Sequence, residues 1–134
     1  MTIFALTGES GSGKTWYRQH NKDMKSLPYI DVAGIYAEFP GIDWLIAFNI
    51  VLERMGEILK DKPDIVVEAY FRPTSLQRQM LIDFAGKAHQ KLVWVNFKES
   101  YDVCRERVLK DPNIKSRAAR LSLLEMARLQ GRVR

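Results

Sequence analysis

Between Gly8 and Thr15 the chain reads GESGSGKT, directly behind the apolar run IFAL. The spacing Gly8-x-x-x-x-Gly13-Lys14-Thr15 is that of a loop built to wrap phosphate groups. Each residue type has a physical task. Gly8, Gly11 and Gly13 reach backbone dihedrals that a Cβ forbids. The N–H groups of residues 10–15, including those of Ser10 and Ser12, then turn inward on the β- and γ-phosphates of a nucleotide. Lys14 meets the same oxygens as a point charge, and the Thr15 hydroxyl is placed to ligate Mg²⁺. A helix opening near Lys14 points its dipole at the same anions. No stretch matches the Asn-Lys-x-Asp pattern that selects guanine, since NKD at 21–23 falls on a helix end; ATP is the expected nucleotide.

The elements that must hold this loop follow from periodicity. Ile3–Leu6 reads as a buried strand, and a helix is expected from about Lys14 to Met24. Pro28–Val32 forms a short second strand, and Phe39-Pro40-Gly41 is a turn. Leu45, Phe48, Leu52, Met55 and Leu59 recur at helical spacing over 43–60. Ile65–Ala69 is rich in β-branched residues and reads as a central strand. A helix then runs from Pro73-Thr74-Ser75 to about His89, and Lys91–Phe97 is a fourth strand. A helix from Ser100 to Leu109 stops at Asp111-Pro112-Asn113, and the last covers roughly 117–130. Strands alternating with long helices predict an α/β fold of three layers: a mostly parallel sheet of about four strands with helices on both faces. Ligands of such sheets sit at the carboxyl ends of the strands. The glycine-rich loop, Asp31 and Glu68 all fall there.

The 134 residues support a single domain, 1–134, and 46% hydrophobic with 28% charged residues is an ordinary globular mix. Cys104 is the only cysteine, so no intrachain disulfide forms, which fits a reducing, cytoplasmic setting. No apolar run reaches membrane-spanning length, so no membrane association is expected. The net charge of +5 is concentrated: residues 105–134 carry nine Lys/Arg against three acids. That points either to an anionic ligand met by the C-terminal part or to a solvated helix face. Trp16, Trp44 and Trp94 read as core or half-buried residues, and His20 and His89 as helix-surface residues without metal-ligand spacing.

In these residues the chain resembles the P-loop kinases of the nucleotide-kinase type. The nearest branch holds polynucleotide 5′-kinases, zeta-toxin-like kinases and small "predicted kinases". The likeness rests on GESGSGKT at 8–15, YID at 29–31, IVVEAYFRPTSLQR at 65–78 and KLVWVNFKESYDVCRER at 91–107. It implies a P-loop NTPase fold and transfer of the γ-phosphate of ATP·Mg²⁺ to an acceptor hydroxyl. By the resemblance, Asp31 is the general base on that hydroxyl and Glu68 holds Mg²⁺ beside Thr15. Arg72 and Arg78 lie on the acceptor side. Arg107 packs on the donor nucleotide and opens a lid over about 108–120, whose cation on the γ-phosphate is Arg117. The chain departs from the pattern at Val32, where a second acid is usual, at Ala69-Tyr70, where Thr-Asn is usual, and at Asp111, where a second arginine is usual. Only Gly131-Arg132-Val133-Arg134 follows the last helix, in place of a fifth strand, leaving a sheet edge for that helix or a second subunit to cover.

Three functions stay open on the sequence. A kinase of nucleic-acid 5′-hydroxyl ends is favoured by the basic C-terminal part. A kinase of a small acceptor, such as a nucleoside, nucleotide or metabolite, is favoured by the small size of the chain. An ATP-binding interaction module with little transfer is favoured by the missing second acid at 32, the missing Thr-Asn at 69–70 and the missing fifth strand.

Overall fold

The computed structural model describes residues 1–71 and 74–134. Its elements, in order, are β1 (Thr2–Thr7), α1 (Lys14–His20), β2 (Tyr29–Asp31), α2 (Val32–Glu38), α3 (Trp44–Leu59), β3 (Asp64–Ala69), α4 (Leu76–Lys87), β4 (Lys91–Asn96), α5 (Tyr101–Leu109) and α6 (Ile114–Leu129). The four strands form one parallel sheet in the order β2-β3-β1-β4. The register pairs Leu6 with Glu68 and Asp31 with Glu68, which brings the carboxyl ends of three strands to one edge.

Strand alternation sorts the side chains between two faces. Ile3, Ala5, Ile65, Val67 and Ala69 join Phe48, Val51 and Met55 of α3 and Leu81 and Ala85 of α4 in the main core. Leu6 and Val66 point the other way and pack with Met24, Tyr17 and Phe97. Glu68 is two residues beyond Val66, so a fully buried carboxylate faces α1. Cys104, Leu124, Ala127 and Val133 make a third cluster that joins α5, α6 and the tail.

The fold is the expected α/β arrangement, with three local differences. The segment 32–38, which has no helical pattern of its own, is the helix α2, capped by Asp31. Helix α1 spans only Lys14–His20, not 14–24, but its first turn still stands at the loop. Helix α6 begins at Ile114, three residues before the expected 117, because the Asn113 side chain accepts from the Ser116 N–H. The span 108–120 is therefore the end of α5, a short turn and the first turns of α6. Helix α6 packs on α2 and α5 across the carboxyl ends of the strands, and β4 is an edge strand. Among the described residues no helix is long and apolar enough to cross a membrane.

Candidate functional site

The loop between β1 and α1 opens into a cavity of about 670 Å³. Its walls include residues 10–17, Asp31, Ala33, Phe97, Arg107 and Arg120. Gly11 and Gly13 take φ of 82° and 107°, the left-handed region that a glycine enters without penalty. At Gly11 a second constraint acts: a Cβ there would lie 2.4 Å from the Cys104 carbonyl oxygen. The loop can thus lie against α5 only as glycine. Arg107 of α5 clamps it from outside, donating to the Gly11 carbonyl at 3.1 Å. Cys104 is buried, which pushes its thiol pKa up, as suits a packing residue rather than a nucleophile.

Lys14 folds back into the loop and donates to the Gly8 and Glu9 carbonyls at 2.5 and 2.7 Å. Burial pushes its pKa down; Asp31, Glu68 and Glu9 pull it back up. Ser12 Oγ is buried in the cavity wall with no hydrogen-bond partner among the described residues. A buried hydroxyl left open beside a lysine and a row of loop N–H groups is a site shaped for an anion.

Glu68 ties three elements together. Its Oε1 accepts from the Thr15 hydroxyl at 2.9 Å and its Oε2 from Arg18 Nε at 2.9 Å. Arg18 in turn lies over the Tyr29 ring, 3.5 Å from its centroid. Arg18 and Glu68 are both buried, so this is an ion pair out of water. Sequence pattern gave no hint of it, because an arginine on a helix reads as solvated. Glu68 and Thr15 are hard oxygen donors, which suits Mg²⁺. Among the described residues no group of three or more His, Cys, Asp or Glu is placed to hold a metal, so such an ion would draw its other ligands from phosphate and water.

Asp31 caps α2 through the Ala33 N–H at 3.0 Å and lines the same cavity as Lys14 and Thr15. Burial raises its pKa, the Glu68 charge raises it further, and Lys14, the Ala33 N–H and Arg120 oppose the rise. Arg120 faces the cavity from α6, held by the Asp111 carboxylate at 3.0 Å. Arg117 is absent from the cavity wall; its guanidinium donates to the Asp111 carbonyl at 3.2 Å. Burial would lift the Asp111 pKa, but hydrogen bonds from Ser116, the Asn113 N–H and Arg120 hold it low, so the acid stays charged and anchors Arg120.

The remaining site candidates lie apart. Arg78 stacks on Trp94, 3.9 Å from the ring centroid, away from the cavity wall. Phe71 is core, edge-on to Phe48 and Trp94. Arg72 falls outside the described residues. Trp16 and Trp44 correct the reading of the tryptophans as core or half-buried: Trp16 is 64% exposed and lines the cavity, and Trp44 is exposed at the start of α3.

No family model matches the chain, and no curated protein matches it. Solved structures do. A Chloroflexus aurantiacus j-10-fl protein that bears a provisional kinase name shares 21% identity at a TM-score of 0.65, over 96% of this chain and 78% of that one. A gluconokinase from Sinorhizobium meliloti 1021 shares 19% at 0.55, over 92% and 73%. A shikimate kinase from Acinetobacter baumannii, in complex with shikimate, shares 15% at 0.52, over 98% and 79%. At these identities the likeness establishes a common fold.

Proposed function

We propose that the protein is an ATP-dependent kinase of a small hydroxyl-bearing acceptor. The observation that carries this is Asp31: a carboxylate with a raised pKa stands in the same cavity as Lys14 and Thr15. Besides capping α2, this acid lies in the cavity, where an acceptor hydroxyl would meet the phosphate loop. When bound, ATP with Mg²⁺ supplies the transferable γ-phosphoryl group and the charge that neutralises it. Lys14 and the loop N–H groups orient the phosphates, and Ser12 gains its missing partner. Thr15, set by Glu68, ligates the ion. Asp31 accepts the acceptor's hydroxyl proton. Arg120 stands on the cavity side of α6 and takes the lid-cation role in preference to Arg117.

Two observations favour a small acceptor over a nucleic-acid end. One is the size of the cavity, about 670 Å³ for both substrates, within the ordinary range for small-molecule sites. The other is the state of the basic C-terminal part. Beyond the three acids of its own segment, two further acids neutralise part of its charge: Arg107 pairs with Glu99 and Arg132 with Glu9, while Arg120 is held by Asp111. The structural neighbours named for gluconate and shikimate phosphorylation share the fold, which accords with this reading.

The test is transfer from γ-labelled ATP with Mg²⁺ to separate pools of sugars and polyols, hydroxy acids, nucleosides and 5′-hydroxyl oligonucleotides. Label in one small-molecule pool is expected. Label only on oligonucleotides would move the protein to the polynucleotide reading, and none with intact ATP binding would make it a binding module. Lys14→Ala is expected to weaken ATP binding roughly 10- to 150-fold in a titration, the worth of hydrogen bonds to a charged group.

A further inference from the structure

Trp16 is out of place for an ordinary helix residue. It is 64% exposed, although it follows directly on the threonine of the phosphate loop. It is also held still. Its ring stacks on His20 with centroids 4.2 Å apart and planes 15° from parallel. His20 is fixed in turn, its Nδ1–H donating to the Trp16 carbonyl at 2.8 Å. Trp16 lines the cavity and His20 does not. The imidazole covers one face of the indole and leaves the other open, on a residue that lines the cavity.

The geometry points to a role: we propose that Trp16, backed by His20, is the platform on which the nucleoside of the donor nucleotide rests. This builds on the phosphate-loop reading above. Asp31 and Arg120 mark the end of the cavity where the transferred phosphoryl sits. The nucleoside must leave the loop from its other end, past Thr15, which is where Trp16 begins. Tyr17 and Phe97, edge-on with ring centroids 5.3 Å apart, continue the aromatic lining. A flat, immobilised indole gives contact area at little entropic cost, and aromatic rings take nucleobases and sugars face-on.

The experiment compares ATP with inorganic tripolyphosphate, which has the phosphates but no nucleoside, in the presence of Mg²⁺. Affinity and tryptophan emission are followed for the unaltered protein, Trp16→Leu and Trp16→Phe. ATP is expected to change the emission, and this change is lost in Trp16→Leu. The ATP dissociation constant rises about tenfold in Trp16→Leu and less in Trp16→Phe, while tripolyphosphate binds all three alike. Equal ATP affinity in the unaltered protein and Trp16→Leu, with both anions still bound, would overturn the platform and leave the phosphate loop standing. Failure of the unaltered protein to bind either anion would overturn both. Because Trp16 is largely exposed, its replacement removes little core packing, and circular dichroism of each variant confirms the fold.

Discussion

Asp31→Asn is expected to lower the transfer rate by about 10²–10⁴, the usual worth of a positioned general base. ATP affinity should stay within a few-fold of the unaltered protein, because the loop, Lys14 and Thr15 are untouched. Asparagine also caps helices well, so α2 keeps its start and the Ala33 N–H keeps its acceptor. The pH dependence gives a second handle. The base must be ionised to accept a proton, and its pKa lies above the ordinary carboxylate value through burial and the Glu68 charge. The rate should therefore climb with pH through a midpoint higher than an exposed aspartate would give. Stability should run the opposite way. Between the ordinary value and the raised one, the folded protein holds a proton that the unfolded chain has lost, so stability falls as pH rises through that window. Asp31→Asn removes this slope, and above the window the variant should melt higher than the unaltered protein. Melting curves across pH, run beside the transfer assay, check both halves. A variant that transfers at the full rate would remove Asp31 from the chemistry.

Arg18→Met should cost about 3–5 kcal/mol of stability, because it strands the Glu68 carboxylate in the core. For a domain of this size that is a fall in melting temperature on the order of 10–20 °C. The double variant Arg18→Met with Glu68→Gln should recover part of the loss, since no unpaired charge then remains. Equal melting temperatures for single and double variants would show that packing over Tyr29, not charge, is what Arg18 supplies. The pair also bears on the site. Arg18 occupies one oxygen of Glu68 and leaves the other to the Thr15 hydroxyl. The double variant should therefore need more Mg²⁺ for ATP binding even where its fold is restored.

Local pattern carried much of this, and its failures have physical causes. Runs such as IVVEA and KLVWVN announce strands because β-branched and aromatic residues suit a pleated, covered surface. The loop at 8–15 was legible because its glycines and Lys14-Thr15 answer to geometry, not to packing. Helix α2 was hidden: Val32 and Gly34 are poor helix formers, and the helix exists because Asp31 caps it and Ala33 and Ile35 are buried. The earlier start of α6 was hidden in the Asn113 cap, and that start belongs to the arrangement in which Arg120, three residues beyond Arg117, lines the cavity. Buried Arg18 and exposed Trp16 reverse what their residue types suggest alone. Both depend on partners distant in sequence or on a cavity, which no local window contains.

Lys14 has a consequence for which anions the loop admits. Two of the three N–H donors of its ammonium are taken before any ligand arrives, by the carbonyls of Gly8 and Glu9. The loop is in this sense its own competitor. An incoming anion finds one open N–H and must exchange for the other two, so the heat released on binding is smaller than the contacts in the complex would suggest. A weakly charged anion offers the ammonium little more than it already has. A polyphosphate, with several oxygens that also engage Ser12 and the loop N–H groups, tips the exchange. Self-satisfaction of one side chain thus sets a threshold of ligand charge, a filter against the singly charged anions that outnumber nucleotides in most solutions.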